Sequence, residues 1–151
     1  MIITAGSSAS TRDLTSAVIN RLGDPGVIVH GVNVRPGKPT ILGICGEKVV
    51  IGLPGNPVSA LVIARLFVAP IIAARLGLPT NQITPRVSAR LSLNLASQAG
   101  REDWIPVRLT QSAAGYLAEP VFRKSNLIFT LVRADGLVRI PPAATGLQAG
   151  E

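Results

Sequence analysis

The stretch VVIGLPGNPVSA, Val49–Ala60, decides how the chain reads. It opens on three β-branched residues, Val49-Val50-Ile51, the composition of a buried strand. It then breaks into Gly52-Leu53-Pro54-Gly55-Asn56-Pro57. From Val58 the apolar spacing turns helical for most of two dozen residues. A strand, a rigid turn and a helix start therefore follow one another directly. In open α/β sheets ligands sit at this place, outside the carboxyl end of a strand and against a helix N-terminus. The prolines fix φ and the glycines admit conformations closed to other residues, so the loop loses little entropy when held in one shape. The N–H groups of Gly55, Asn56 and Val58 are placed to face an anion.

Upstream of this stretch, Met1–Thr4 is a short apolar strand, followed by the small, hydroxyl-rich Ala5–Thr11. A helix is predicted over about Arg12–Leu22, capped by Ser10 or Thr11, with Asp13 in its first turn and Leu14, Val18, Ile19 and Leu22 as its apolar face. Gly23–Gly26 ends it in a turn. Val27–His30 is the next strand, continued by Gly31–Val34. Arg35–Pro39 is a stiff turn with two cations, and Thr40–Cys45 is a strand. Gly46-Glu47-Lys48 is a hairpin turn into Val49. The helix from Val58 runs to about Leu76, either continuous or broken at Pro70. Alternating strands and helices argue for a mostly parallel sheet. After Gly77 the texture changes to period-two alternation in Val87–Leu95, Trp104–Leu109, Tyr116–Val121 and Leu137–Ile140. The expected fold class is therefore an α/β unit over residues 1–77 followed by a small all-β, barrel-like unit over 78–151. In this second unit Arg101-Glu102-Asp103 reads as a solvated loop, and Arg133–Gly136 as a turn with an internal ion pair.

The chain of 151 residues is 47% hydrophobic but only 3% aromatic, so Val, Ile, Leu and Ala must build the core. Its net charge of +7 suits an anionic partner. Arginines without a basic run, and almost no aromatics to stack on bases, argue against nucleic acid. Arg65, Arg75 and Pro70 interrupt the one membrane-like segment, which argues for a buried helix and no membrane. Cys45 is the only cysteine, which excludes an intrachain disulfide and fits the cytoplasm. Met1–Thr4 lacks the pattern of a signal peptide.

Three loops fall at strand ends. In the first, Gly6, Ser7, Ser8 and Ser10 offer hydroxyls and N–H groups ahead of a helix, suited to an oxyanion or simply to capping that helix. Asp13 suits Mg2+ or the helix dipole. In the second, Arg35 and Lys38 carry positive charge on backbone stiffened by Pro36 and Pro39, either as ligands or as a solvated turn. The third is Gly52–Pro57. No Ser/His/Asp set, Walker loop or metal-ligand cluster accompanies them.

Gly31–Thr40, GVNVRPGKPT, followed by Gly52–Ala60, GLPGNPVSA, resembles the molybdopterin molybdenumtransferases, the MoeA-type proteins related to the C-terminal domain of gephyrin. Ser125–Ile140 resembles the C-terminal domain of the same family. The resemblance implies a molybdopterin-binding α/β domain and a small β-barrel. It implies insertion of molybdate into adenylylated molybdopterin with Mg2+, releasing AMP, in a homodimer. It places Asp13 (catalytic and metal-binding) and Lys38 (catalytic) in the site. The substrate would be held by Gly6, Ser7, Ser8, Ser10, Arg35, Pro36, Gly37, Lys38, Pro54, Gly55, Asn56 and Pro57. Arg35 stands where the family commonly has Lys, which keeps the charge and adds a fork for phosphate or molybdate. The Gly6–Asp13 loop departs from the family's common Gly-Gly-Val-Ser loop and resembles a variant branch. The family's first two domains, and the start of its α/β domain with an acidic metal-binding residue, have no counterpart here. This chain is therefore expected to be a C-terminal fragment that binds weakly and does not turn over, or a non-catalytic pterin-binding scaffold module.

Overall fold

The computed structural model describes residues 1–4, 14–79, 85–121 and 132–151. It divides into two compact units, Met1–Thr80 and Asn81–Glu151.

The first unit is built on four strands in the order β1 (Ile2–Thr4), β5 (Lys48–Leu53), β4 (Ile41–Cys45) and β2 (Pro25–His30); a two-residue strand, β3 (Val34–Arg35), lies in the loop between β2 and β4. The sheet is mixed. β1 and β5 run parallel, whereas β5 with β4 and β4 with β2 are antiparallel. The reason is connection length. A two-residue turn at Gly46-Glu47 joins β4 to β5, far too short for the crossover that parallel neighbours need.

Helix α1 (Leu14–Leu22) and the long helix Pro57–Arg75 cover opposite faces. Period-two alternation makes this possible: Ile41 and Val50 pack with Ile19 of α1, while Leu42, Val49, Ile51 and Leu53 pack with Ile63 and Val68 of the long helix. Of its expected apolar face α1 buries Ile19, together with Thr15, and leaves Leu14, Val18 and Leu22 exposed. Glycines opposite set this choice. A β-carbon at Gly43 would lie 2.8 Å from Ile19 Cγ2, and one at Gly52 3.3 Å from Thr15 Cγ2. The helix settles onto this flat patch, and burying Ile19 stabilises the contact by about 1.5–3 kcal/mol.

The long helix is not broken at Pro70. Its middle, Ala64–Val68, is a π-turn in which the Ala69 N–H donates to the Ala64 carbonyl. That widened turn just ahead of Pro70 takes up a residue whose ring and missing N–H ordinary helical bonding rejects. By length and composition this helix could cross a membrane, with mean hydropathy 2.1 over 18 residues. Here a third of that window is buried, Val58, Val62 and Ile63 among it, with Ile63 against the sheet.

In the second unit β8 (Glu102–Ser112) is central. It pairs antiparallel with β10 (Gly136–Ile140) and with β9 (Gly115–Pro120), and β9 pairs parallel with β6 (Ala89–Leu91). β7 (Leu95–Ala96) pairs with β11 (Gly146–Leu147). Leu91, Leu95, Val107, Ala118 and Ile140 form the core. Two expectations change here. Glu102 and Asp103 are not loop residues but the start of β8, and Asp103 is only 2% exposed, held by Arg101 Nε at 2.7 Å. Asp135 accepts the Leu109 N–H at 2.8 Å, so this turn is tied to β8. The expected helical turn or loop at Ser125–Leu131 lies outside the described residues.

Candidate functional site

The register of the first sheet decides which loops meet. Ile41, at the start of β4, pairs with Gly52, near the end of β5. Thr4, at the end of β1, pairs with Leu53. Adjacent strands lie about 5 Å apart. The loop entering β4, the loop leaving β5 and the chain leaving β1 are therefore neighbours at one end of the sheet. This end holds the carboxyl ends of both parallel strands. Gly6, Ser7, Ser8, Ser10 and Asp13, which follow β1, lie outside the described residues.

The loop entering β4 is closed by backbone bonds. Gly31 N donates to Thr40 O at 2.8 Å and Val32 N to Lys38 O at 2.9 Å. Thr40 Oγ1 and N both donate to Gly37 O, at 2.6 and 3.1 Å. The Arg35–Pro36 peptide is cis. Gly37 is buried, with φ +135°, and a β-carbon there would lie 2.5 Å from Ile63 Cγ1. The turn thus seats on the long helix, on a side chain six residues after the Pro57 that begins it. Arg35 and Lys38 are exposed on this anchored backbone, and Pro36 is half-buried.

In the loop leaving β5, Pro54 is buried, Gly55 and Asn56 are exposed, and Pro57 takes the first helical position. Proline suits that position, where an N–H has no helical acceptor. Asn56 is the N-cap with extended backbone (φ −73°, ψ 125°), and its carbonyl accepts the first helical bond from Ala60 N at 2.9 Å. The N–H groups of the next residues lack acceptors within the helix and carry the positive end of its dipole. Gly31–Thr40 and Gly52–Ser59 together hold two cations, Arg35 and Lys38, and no acid. Sequence reasoning passed over Thr40 and Ile63 as members of this construction. A threonine after a Pro-Gly-Lys-Pro turn reads only as a strand start, and Ile63 only as core.

The described residues also contain an apolar cleft of about 600 Å3, lined by Ile2, Val49, Ile51, Val68, Ile71 and Ile72 among others. Lys48 and Val49 place it at the opposite end of β5, and its apolar lining does not suit an anion. Among the described residues no three His, Cys, Asp or Glu side chains cluster as a metal site.

Two family profiles match this chain. A probable molybdopterin binding domain covers residues 1–74, and the MoeA C-terminal region (domain IV) covers residues 88–151. The chain belongs to the MoeA family. Among its relatives, a putative molybdopterin biosynthesis protein of Methanocaldococcus jannaschii is 37% identical over 152 residues, covering 100% of this chain and 34% of that protein. A molybdopterin molybdenumtransferase of Haemophilus influenzae is 37% identical over 160 residues, covering 100% and 38%. A crystal structure of a molybdopterin biosynthesis MoeA protein from a Pyrococcus species superposes with a TM-score of 0.78 at 37% identity, over 99% of this chain and 34% of that one. This MoeA-family chain thus spans about a third of the length of these relatives. Its fold class, an α/β domain followed by a β-rich domain, is theirs.

Proposed function

We propose that this chain serves molybdenum cofactor synthesis by inserting molybdate into adenylylated molybdopterin, releasing AMP, as part of a longer cytoplasmic homodimer. The observation that carries the reading is the acid-free loop pair, Arg35–Pro39 beside Pro54–Pro57, in a chain of the MoeA family. Lys38 offers a compact charge and Arg35 a planar fork for phosphate or molybdate oxygens. Pro54–Pro57 forms a stiff wall, and the helix N–H groups behind it favour negative charge. Holding both anions side by side supplies proximity, and the fixed positive charges stabilise charge on the departing phosphate. Mg2+ belongs to this reading with Asp13 as its ligand; the described residues contribute charge and shape.

The chain taken alone is expected to bind weakly and not to turn over. The test is a molybdenum-insertion assay with a full-length protein carrying these residues, supplied with adenylylated molybdopterin, molybdate and Mg2+. Cofactor formation that falls at least about tenfold in Lys38→Ala supports the reading. Binding of molybdopterin without conversion would make the protein a non-catalytic pterin-binding module instead.

A further inference from the structure

We propose that Thr40 is a positioning residue for Lys38, and that the seat of Gly37 on Ile63 locks the cation-bearing loop to the helix that begins at Pro57. The inference rests on the proposed anion site and adds to it the parts that hold it in shape.

Thr40 is fully buried, yet its hydroxyl spends its proton on one partner, the Gly37 carbonyl at 2.6 Å. The same carbonyl receives the Thr40 N–H. A buried carbonyl with two donors from one residue fixes the turn Gly37–Thr40, and Lys38 is inside that turn. The Lys38 carbonyl is tied in addition to Val32 N. The backbone that carries the ammonium group is therefore held from both sides, while the side chain is left exposed. Gly37 extends the device. With φ +135° and Ile63 against its α-carbon, it admits no other side chain, and Ile63 is itself 0% exposed and unable to swing away. The loop and the helix therefore move as one body, which keeps the spacing between the Lys38 charge and the N–H groups after Pro57.

A purely structural threonine would alter stability alone; a positioning threonine alters binding through Lys38. Molybdopterin is titrated onto the 15N-labelled chain and the dissociation constant read from shift changes. Wild type is compared with Thr40→Val, Thr40→Ser, Lys38→Ala and the double variant Thr40→Val/Lys38→Ala. Thr40→Val leaves the Gly37 carbonyl with the Thr40 N–H alone, and is expected to weaken binding by up to about tenfold by loosening the turn that carries Lys38. Thr40→Ser restores it to within about twofold. In the Lys38→Ala background Thr40→Val adds nothing, because coupled residues are non-additive. Ile63→Val, which removes the Cδ1 atom at Gly37 and keeps the core apolar, weakens binding severalfold and serves if Thr40→Val does not fold. Binding unchanged by Thr40→Val or Ile63→Val, or losses that multiply with Lys38→Ala, would overturn the inference alone. Binding unchanged by Lys38→Ala would instead overturn the proposed site and the inference with it.

Discussion

The two units place their charges in opposite ways. In the second, the acids at the start of β8 and ahead of β10 are spoken for within one sheet. Asp103 takes Arg101, and Glu102 accepts both Trp104 Nε1 and Arg139 Nε at 2.7 Å. Asp135 takes a backbone N–H of β8. In the first unit, one end of the sheet gathers Arg35 and Lys38 with no acid in either loop. The acids of the second unit tie its strands together, whereas the two cations of the first stand on stiff backbone in loops that hold no acid. The contrast supports the proposed anion site in the first unit.

The strongest way to break this contrast is to damage the second core. Ile140 is fully buried, and Ile140→Ala should cost about 2–5 kcal/mol. Trp104 is the only tryptophan and lies in this unit, so its fluorescence reports the loss in a urea titration. Gly43→Ala should cost about 1–3 kcal/mol by pushing α1 off the first sheet. Far-UV circular dichroism in a urea titration should detect it as a lowered midpoint. Arg101→Ala removes the Arg101 partner of the buried Asp103 carboxylate. With Arg101 28% exposed, about 2 kcal/mol is expected, below the figure for fully buried pairs. The Arg139–Glu102 pair is 55% exposed on the arginine side, so Arg139→Ala should cost about 0–1 kcal/mol, less in high salt. The smallest stability effect falls on Lys38→Ala, within about 0.5 kcal/mol, although it should be the variant that loses ligand.

Local pattern revealed much of the fold. The strand expected at Val49–Ile51, its turn and the helix after it stand where apolar spacing and the prolines put them, although the strand runs on through Gly52 and Leu53. The side of α1 that is buried was legible only at Ile19. Helical periodicity marks a stripe of Leu14, Val18, Ile19 and Leu22, but it does not show that Gly43 and Gly52 lie across the sheet and admit Thr15 beside Ile19. The passage through Pro70 was hidden for a similar reason, since a π-turn is a tertiary accommodation that leaves no mark in composition. Asp103 was read as solvated because a charge beside Arg101 and Glu102 resembles a loop until β10 pairs alongside. The site was legible as two loops, but their adjacency comes from the Ile41–Gly52 register.

The central claim is that the ligand is held at the carboxyl end of the first sheet. Amide shift mapping of the 15N-labelled chain during a molybdopterin titration tests it most directly. Saturable shifts are expected at Lys38, Gly55, Asn56 and Val58, with β8, β9 and β10 unmoved. Shifts centred on the second unit, or on the cleft around Ile71 and Ile72, would contradict it.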